Sequence, residues 1–194
     1  YEDTGMVGAL GDKLHHGALQ LYCVTSVDRE SWYNRPAHPR HRIDRALAYE
    51  GYLLNDVVPL VRQRNPNGIG VHGCSFGAYQ AQTFGLPHPD VVSSCVVMSG
   101  AFDIHQFLDG YYDQDCYFFC PPHFLPGLTD PWFLDRFRGN KWVLATGEHD
   151  ICLRDNERMS DLLTAKGIPH SLHVWQGMWH DWPWWQKMAQ AYVP

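Results

Sequence analysis

The pentapeptide Gly73-Cys74-Ser75-Phe76-Gly77 constrains this chain more than any other feature. Composition alone predicts about 0.06 matches to G-x-S-x-G in a chain of this length and glycine content, so the pattern is moderately specific before its context is considered. An apolar run, Ile69-Gly70-Val71-His72, precedes it, and a helix-forming run rich in small residues follows it. A strand, a sharp turn and a helix in that order lift one serine hydroxyl clear of the backbone, and flanking glycines let strand and helix approach. Ser75 is therefore a candidate nucleophile, with the Phe76 amide placed to donate to an oxyanion. A plain helix N-cap serine is the alternative.

The rest of the chain supports an α/β domain. Five short apolar runs, 19–25, 69–74, 92–99, 142–147 and 171–175, read as buried strands bounded by Gly, Pro or polar residues. Helical patterns lie between them: 5–16 after Thr4 as a cap, 40–64 with a kink at Pro59, 75–84, 155–166 beginning at a capping Asp155, and 182–192. This alternation predicts a mostly parallel, doubly wound sheet with flanking helices. The segment 102–138 interrupts it with Phe107, Tyr111, Tyr112, Tyr117, Phe118, Phe119, Phe124, Trp132 and Phe133. A loop of that length inside a compact domain reads as an aromatic cap excursion.

A serine hydroxyl needs a base, and a base needs an acid to orient it. With the order nucleophile, acid, histidine, position selects among twelve histidines. His180 follows the last strand on a loop at the same sheet edge as Ser75. His72, His149 and His173 fall within or at the ends of strands, and His15, His16, His38 and His41 read as solvated. Asp150 ends the preceding strand and is the favoured acid. Asp155 is its rival, Glu148 is weaker, and Asp181 reads as a loop-closing residue.

With Ser75, Asp150 and His180 in order, the chain resembles the α/β-hydrolase superfamily. Within it, the chain is similar to the esterase group that includes esterase D and the mycobacterial mycolyltransferases. The most specific stretches are Gly-Cys-Ser-Phe-Gly-Ala-Tyr at the elbow, Ser31-Trp32-Tyr33-Asn34, and His180-Asp181-Trp182-Pro183-Trp184-Trp185. Tyr1-Glu2-Asp3-Thr4-Gly5-Met6 resembles a run in bacterial predicted esterases. The resemblance implies the α/β-hydrolase fold and a serine carboxylic-ester hydrolase acting through an acyl-enzyme. An acyltransferase or thioesterase with the same triad, and a catalytically silent binding protein of this fold, are the alternatives. Trp32, Tyr112, Tyr117 and Trp182 are expected to wall the substrate pocket.

The resemblance also implies a departure. The superfamily's nucleophile follows its fifth strand, whereas Ser75 follows the second found here. Residues 1–194 are therefore expected to be one N-terminally incomplete domain. The missing third strand and its oxyanion donor would lie upstream of Tyr1 or come from another segment or a homo-oligomer. Loss of one oxyanion donor costs about 10²–10³ in turnover, so residues 1–194 alone are expected to be weakly active or unstable.

Charge and cysteine usage bound the partners. A net charge of −6 with no basic cluster predicts no nucleic-acid partner, and no apolar run is long enough to cross a membrane. A small-molecule ester is the expected ligand, with no cofactor and, in the absence of H-E-x-x-H, no metal. Cys116 and Cys120 invite pairing or metal binding, but without further Cys or His at ligand spacing neither reading is favoured. Free cysteines in apolar runs point to a reducing, cytoplasmic setting.

Overall fold

The computed structural model describes all 194 residues. Four strands, β1 (Ile69–Cys74), β2 (Val92–Met98), β3 (Lys141–Gly147) and β4 (Ser171–Trp175), form one parallel sheet in the order β1-β2-β3-β4. The register places Cys74 beside Met98 and Met98 beside Ala145, so the carboxyl ends of β1, β2 and β3 lie side by side. Ten α-helices complete the chain: α1 (Met6–Ala9), α2 (Gly11–His15), α3 (Pro39–Tyr52), α4 (Val58–Arg64), α5 (Phe76–Gly85), α6 (Gln114–Phe118), α7 (Pro121–Gly127), α8 (Pro131–Gly139), α9 (Leu153–Ala165) and α10 (Trp182–Tyr192).

Alternation along the strands divides the core into two layers. Cys95, Val97, Trp142 and Leu144 face α5, α7, α8 and α9 through Ala78, Ala81, Leu125, Phe137, Met159 and Leu163. Val96, Met98, Val143 and Ala145 face the other way, onto Met6 and Leu10 near α1 and onto Trp185, Met188 and Ala189 of α10. Near-continuous apolar runs in β2 and β3 follow from burial on both faces. A third cluster, with Trp32, Ile43, Tyr79, Ile104 and Phe107, joins α3 and the excursion to the outer side of α5.

Several expected elements take a different form. Residues 19–25 are not a strand, and residues 19–26 make no backbone–backbone hydrogen bond. Leu19 and Leu21 pack against the α1–α10 layer, which accounts for their apolar pattern, but no neighbouring strand is there to pair with. Between this segment and the bare edge of β1 lies a cavity of about 970 Å³, lined by Leu19, Leu21, Cys23, Val71 and Phe84 among others. The helix expected over 40–64 is α3, a π-helical turn at Leu53–Val57, and α4. Pro59, which lacks an N–H and crowds the carbonyl four residues back, falls in the first turn of α4, directly after that π-helical turn.

Residues 5–16 form two short helices rather than one, and the Thr4 hydroxyl donates to the Tyr1 carbonyl instead of capping. Asp155 lies inside the first turn of α9, which begins at Leu153, so it is not the cap. The excursion 102–138 is mostly helical rather than looped: a 3₁₀ turn at His105–Phe107 and helices α6, α7 and α8. Asp113 caps α6 and Asp130 caps α8, while prolines occupy the first turns of α7 and α8. No helix is long and apolar enough to cross a membrane, and all six cysteines are free.

Candidate active site

The end of β1 turns sharply. Ser75 sits at φ 54° and ψ −120°, a conformation that costs a non-glycine residue about 1–3 kcal/mol. Surrounding contacts hold it there: the Ser75 N–H extends the β1–β2 ladder by donating to the Met98 carbonyl at 2.8 Å. A Cβ on Gly73 would lie 2.1 Å from the Gly77 carbonyl oxygen, so only glycine permits this approach of strand to helix. Gly77 differs from the expectation: a Cβ there would touch nothing within 4 Å, because its face looks into the cavity beside β1. The Phe76 N–H opens α5 and has no backbone hydrogen-bond partner, leaving a donor at a helix N-terminus where negative charge is favoured.

The acid comes from the turn after β3. Asp150 is buried, and its carboxylate accepts from the Cys152 N–H at 2.7 Å, the Ser99 hydroxyl at 2.5 Å and His180 Nδ1 at 2.9 Å. Burial pushes the Asp150 carboxyl upward, but the bonds from His180, Ser99 and Cys152 outweigh it and hold the pKa below the ordinary carboxylate value. Asp150 therefore stays ionised. Asp155, its rival, is pushed up by burial and by neighbouring Asp103, and it makes no bond to His180. Glu148 accepts from the Gly177 N–H at 3.0 Å and fastens the loop that follows β4.

That loop carries His180 back to the sheet. The His149 N–H donates to the Met178 carbonyl at 2.9 Å, and a Cβ on Gly147 would lie 2.2 Å from the same oxygen. Glycine at the end of β3 thus lets the histidine loop press against the strand that bears the acid. Asp181 caps α10 by accepting from the Trp182 N–H, with Pro183 in the first turn, and so fixes where His180 leaves the loop. His180 Nε2 lies 2.8 Å from Ser75 Oγ. The three candidates, 75, 150 and 180, thus meet in one hydrogen-bonded chain.

Two further residues, neither expected at the site, complete it. Ser99 follows β2 directly, at φ 55°, and spends its hydroxyl on Asp150. Trp185 donates its indole N–H to Ser99 Oγ at 2.8 Å and sets its ring perpendicular to the His180 imidazole at 4.8 Å. A serine at the carboxyl end of the strand between the nucleophile and acid strands was the clue available for Ser99.

The expected pocket residues separate. Trp32 is 0% exposed and packs edge-on against Tyr79 and Phe119, so it is core and not wall. Tyr117 packs against the α5–α9 layer, its hydroxyl facing Gly127. Tyr112 is exposed but engages His105 and His123 within the excursion. Trp182 is exposed at the mouth of the β1 cavity, against Trp185 at 4.9 Å. The Phe76 ring itself packs against Tyr33 and Phe107, at 5.1 and 5.3 Å, with Phe107 in the same buried cluster as Trp32. Buried Arg42 secures them by donating to the carbonyls of Asn34, Arg35 and Phe107.

This architecture recurs in solved structures. A ferulic acid esterase superposes with a TM-score of 0.60 at 19% identity, covering 74% of this chain and 57% of that one. The fold is that of the α/β-hydrolases. An S-formylglutathione hydrolase from Staphylococcus aureus matches this chain with a TM-score of 0.55 at 19% identity, over 76% of it and 62% of the other protein. The fluorophosphonate-binding serine hydrolase F of Staphylococcus aureus matches at 0.53 and 21% identity, over 75% and 62%. The chain thus spans less than two thirds of each of these proteins. No family model matches the chain, and no curated protein matches it in sequence.

Proposed function

We propose that this chain carries the catalytic triad of a serine carboxylic-ester hydrolase. The observation that carries this reading is the continuous path Ser75 Oγ–His180–Asp150, at 2.8 and 2.9 Å. In the proposed cycle His180 Nε2 takes the Ser75 proton as Oγ attacks the ester carbonyl. Asp150 receives the Nδ1–H, fixes the tautomer and stabilises the imidazolium. The Phe76 N–H donates to the tetrahedral oxyanion. Collapse expels the alcohol, which takes the proton from His180. Water, deprotonated by the same imidazole, then releases the acid from Ser75. The esterase and hydrolase names of the structural neighbours are in keeping with this chemistry.

The bare β1 edge supports a companion proposal. A strand from polypeptide outside residues 1–194 enters the slot between Ile69–Cys74 and residues 19–25 and completes the sheet beside the elbow. Amides on that edge should exchange rapidly in residues 1–194 and become protected when the strand is present. For the triad itself, hydrolysis of p-nitrophenyl acetate is the test. Ser75→Ala should abolish turnover with the circular dichroism spectrum unchanged; full turnover in that variant removes Ser75 from the mechanism.

A further inference from the structure

We propose that the excursion holds a divalent transition-metal site, suited to Zn²⁺, built from Asp103, His105, Cys120 and His123. The ligand pairs are close in sequence, Asp103-Ile104-His105 and Cys120-Pro121-Pro122-His123, and the fold brings the pairs together. One donor atom from each of the four residues falls within 4.8 Å of all the others. A tetrahedral zinc ion with bonds of about 2.0–2.3 Å separates its donors by roughly 3.3–3.8 Å, so closing the cluster asks for side-chain shifts of about 1 Å. One carboxylate, two imidazoles and one thiol form a donor set that zinc accepts readily. Cys120 has His123 three residues on, a spacing the reading of Cys120 with Cys116 passed over, and folding adds Asp103 and His105.

The surroundings fit such a site. The His105 and His123 rings lie 4.5 Å apart, and His105 Nδ1 is 2.7 Å from Asp103 Oδ1. Arg158 approaches the other carboxylate oxygen, at 3.9 Å, leaving Oδ1 towards the histidines. Tyr112 stacks on His105 with ring planes 15° apart and sets its hydroxyl 2.5 Å from His123 Nδ1. An outer residue that orients a ligand imidazole in this way is a common feature of zinc sites. Cys120 is buried with its thiol directed at the Phe102 carbonyl at 3.9 Å, a weak tie that a metal bond would replace. His105 is exposed and provides the way in.

On binding, the metal–sulfur bond forms as the Cys120 S–H bond breaks, and the proton leaves to solvent; no electrons are transferred. The ion would join the segment leaving β2 to the α6–α7 junction. That staple braces the stretch carrying Phe107, the aromatic neighbour of Phe76.

Metal-stripped protein titrated with ZnCl₂ in a calorimeter should bind one ion per chain and gain thermal stability. With CoCl₂ it should develop the intense visible bands of a tetrahedral centre and a near-ultraviolet thiolate-to-cobalt band. Cys120→Ser should remove the latter band. His105→Asn and His123→Gln should each weaken binding by about 100-fold, and Tyr112→Phe by about tenfold. Asp150, Cys152 and His180 form a second group of donors near one another, so His180→Ala is the control. Binding that survives in His180→Ala and is lost in His105→Asn supports the proposal. No binding, binding lost only in His180→Ala, or a cobalt complex without the sulfur band would overturn it. His105 is exposed, so its variant leaves the core intact and the result interpretable even if Cys120→Ser folds poorly.

Discussion

The Ser99 hydroxyl donates to Asp150 Oδ2 at 2.5 Å while Asp150 Oδ1 receives His180 Nδ1 at 2.9 Å, so the two carboxylate oxygens are committed to different partners. Trp185 completes the arrangement by donating to Ser99 Oγ. Ser99 is thus a positioning residue: it reaches the nucleophile only through the acid and the imidazole.

Ser99→Ala should lower kcat by about tenfold with little change in KM, since a hydrogen bond to a charged group is worth about 1.5–3 kcal/mol and only part of it is felt at the reaction centre. A merely structural residue would not move the pH profile. Here the loss of a donor to the ionised carboxylate raises the Asp150 pKa from its depressed position, and the acid limb of activity should move to higher pH. An unshifted acid limb would assign Ser99 to packing alone.

The choice of acid is open to a paired comparison. Asp150→Asn should reduce kcat by about 10⁴ by favouring the wrong imidazole tautomer. Asp155→Asn should stay within about threefold of the parent, because that side chain faces Asp103 and the Phe102 amide and not His180. Steady-state kinetics on both variants separates the two assignments, and the reverse ranking would contradict the geometry.

The two elbow glycines should respond in opposite ways. Gly73→Ala forces a Cβ to 2.1 Å from a backbone oxygen, and the chain should lose several kcal/mol of stability or fail to fold. Gly77→Ala meets open space and should raise stability by up to about 1 kcal/mol through helix propensity. Thermal denaturation of each variant reads the difference. Equal effects would mean that the strand–helix approach is looser than described.

His72 should make stability depend on pH. Burial lowers its pKa to about 4, so in the folded chain it is neutral where the unfolded imidazole, near pH 6.5, already takes a proton. Stability is full above about pH 6.5, declines as pH falls towards 4, and stays reduced below that. The cavity beside β1 relieves part of the desolvation, so the loss is on the order of 1–2 kcal/mol. His72→Gln should flatten this part of the stability profile in urea denaturation; an unchanged slope would place the effect on other groups.

Local sequence carried much of this fold. The runs at 69–74, 92–99, 142–147 and 171–175 announce themselves through apolar content bounded by turn residues, and the elbow through its glycine spacing. Residues 19–25 have the same local character yet form no strand, because a strand also needs a neighbour to pair with. The helices of the excursion were hidden by aromatic density, although Asp113, Asp130 and the prolines at 121 and 131 mark their starts. Ser75 and His180 stood out through position relative to strands. Ser99, Trp185, Tyr33 and Phe107 did not, since only the fold brings Ser99 to Asp150 and Trp185, and Tyr33 and Phe107 to Phe76. Trp32 drew attention as a tryptophan near a motif, but size alone does not separate wall from core.

The central claim concerns one covalent bond. Incubation with a fluorophosphonate, followed by intact mass measurement and peptide mapping, should show a single adduct on Ser75. Labelling should be slowed by orders of magnitude in His180→Ala and absent in Ser75→Ala. An adduct at any other residue, or labelling of Ser75 at an undiminished rate without His180, would contradict the proposed activation of that hydroxyl.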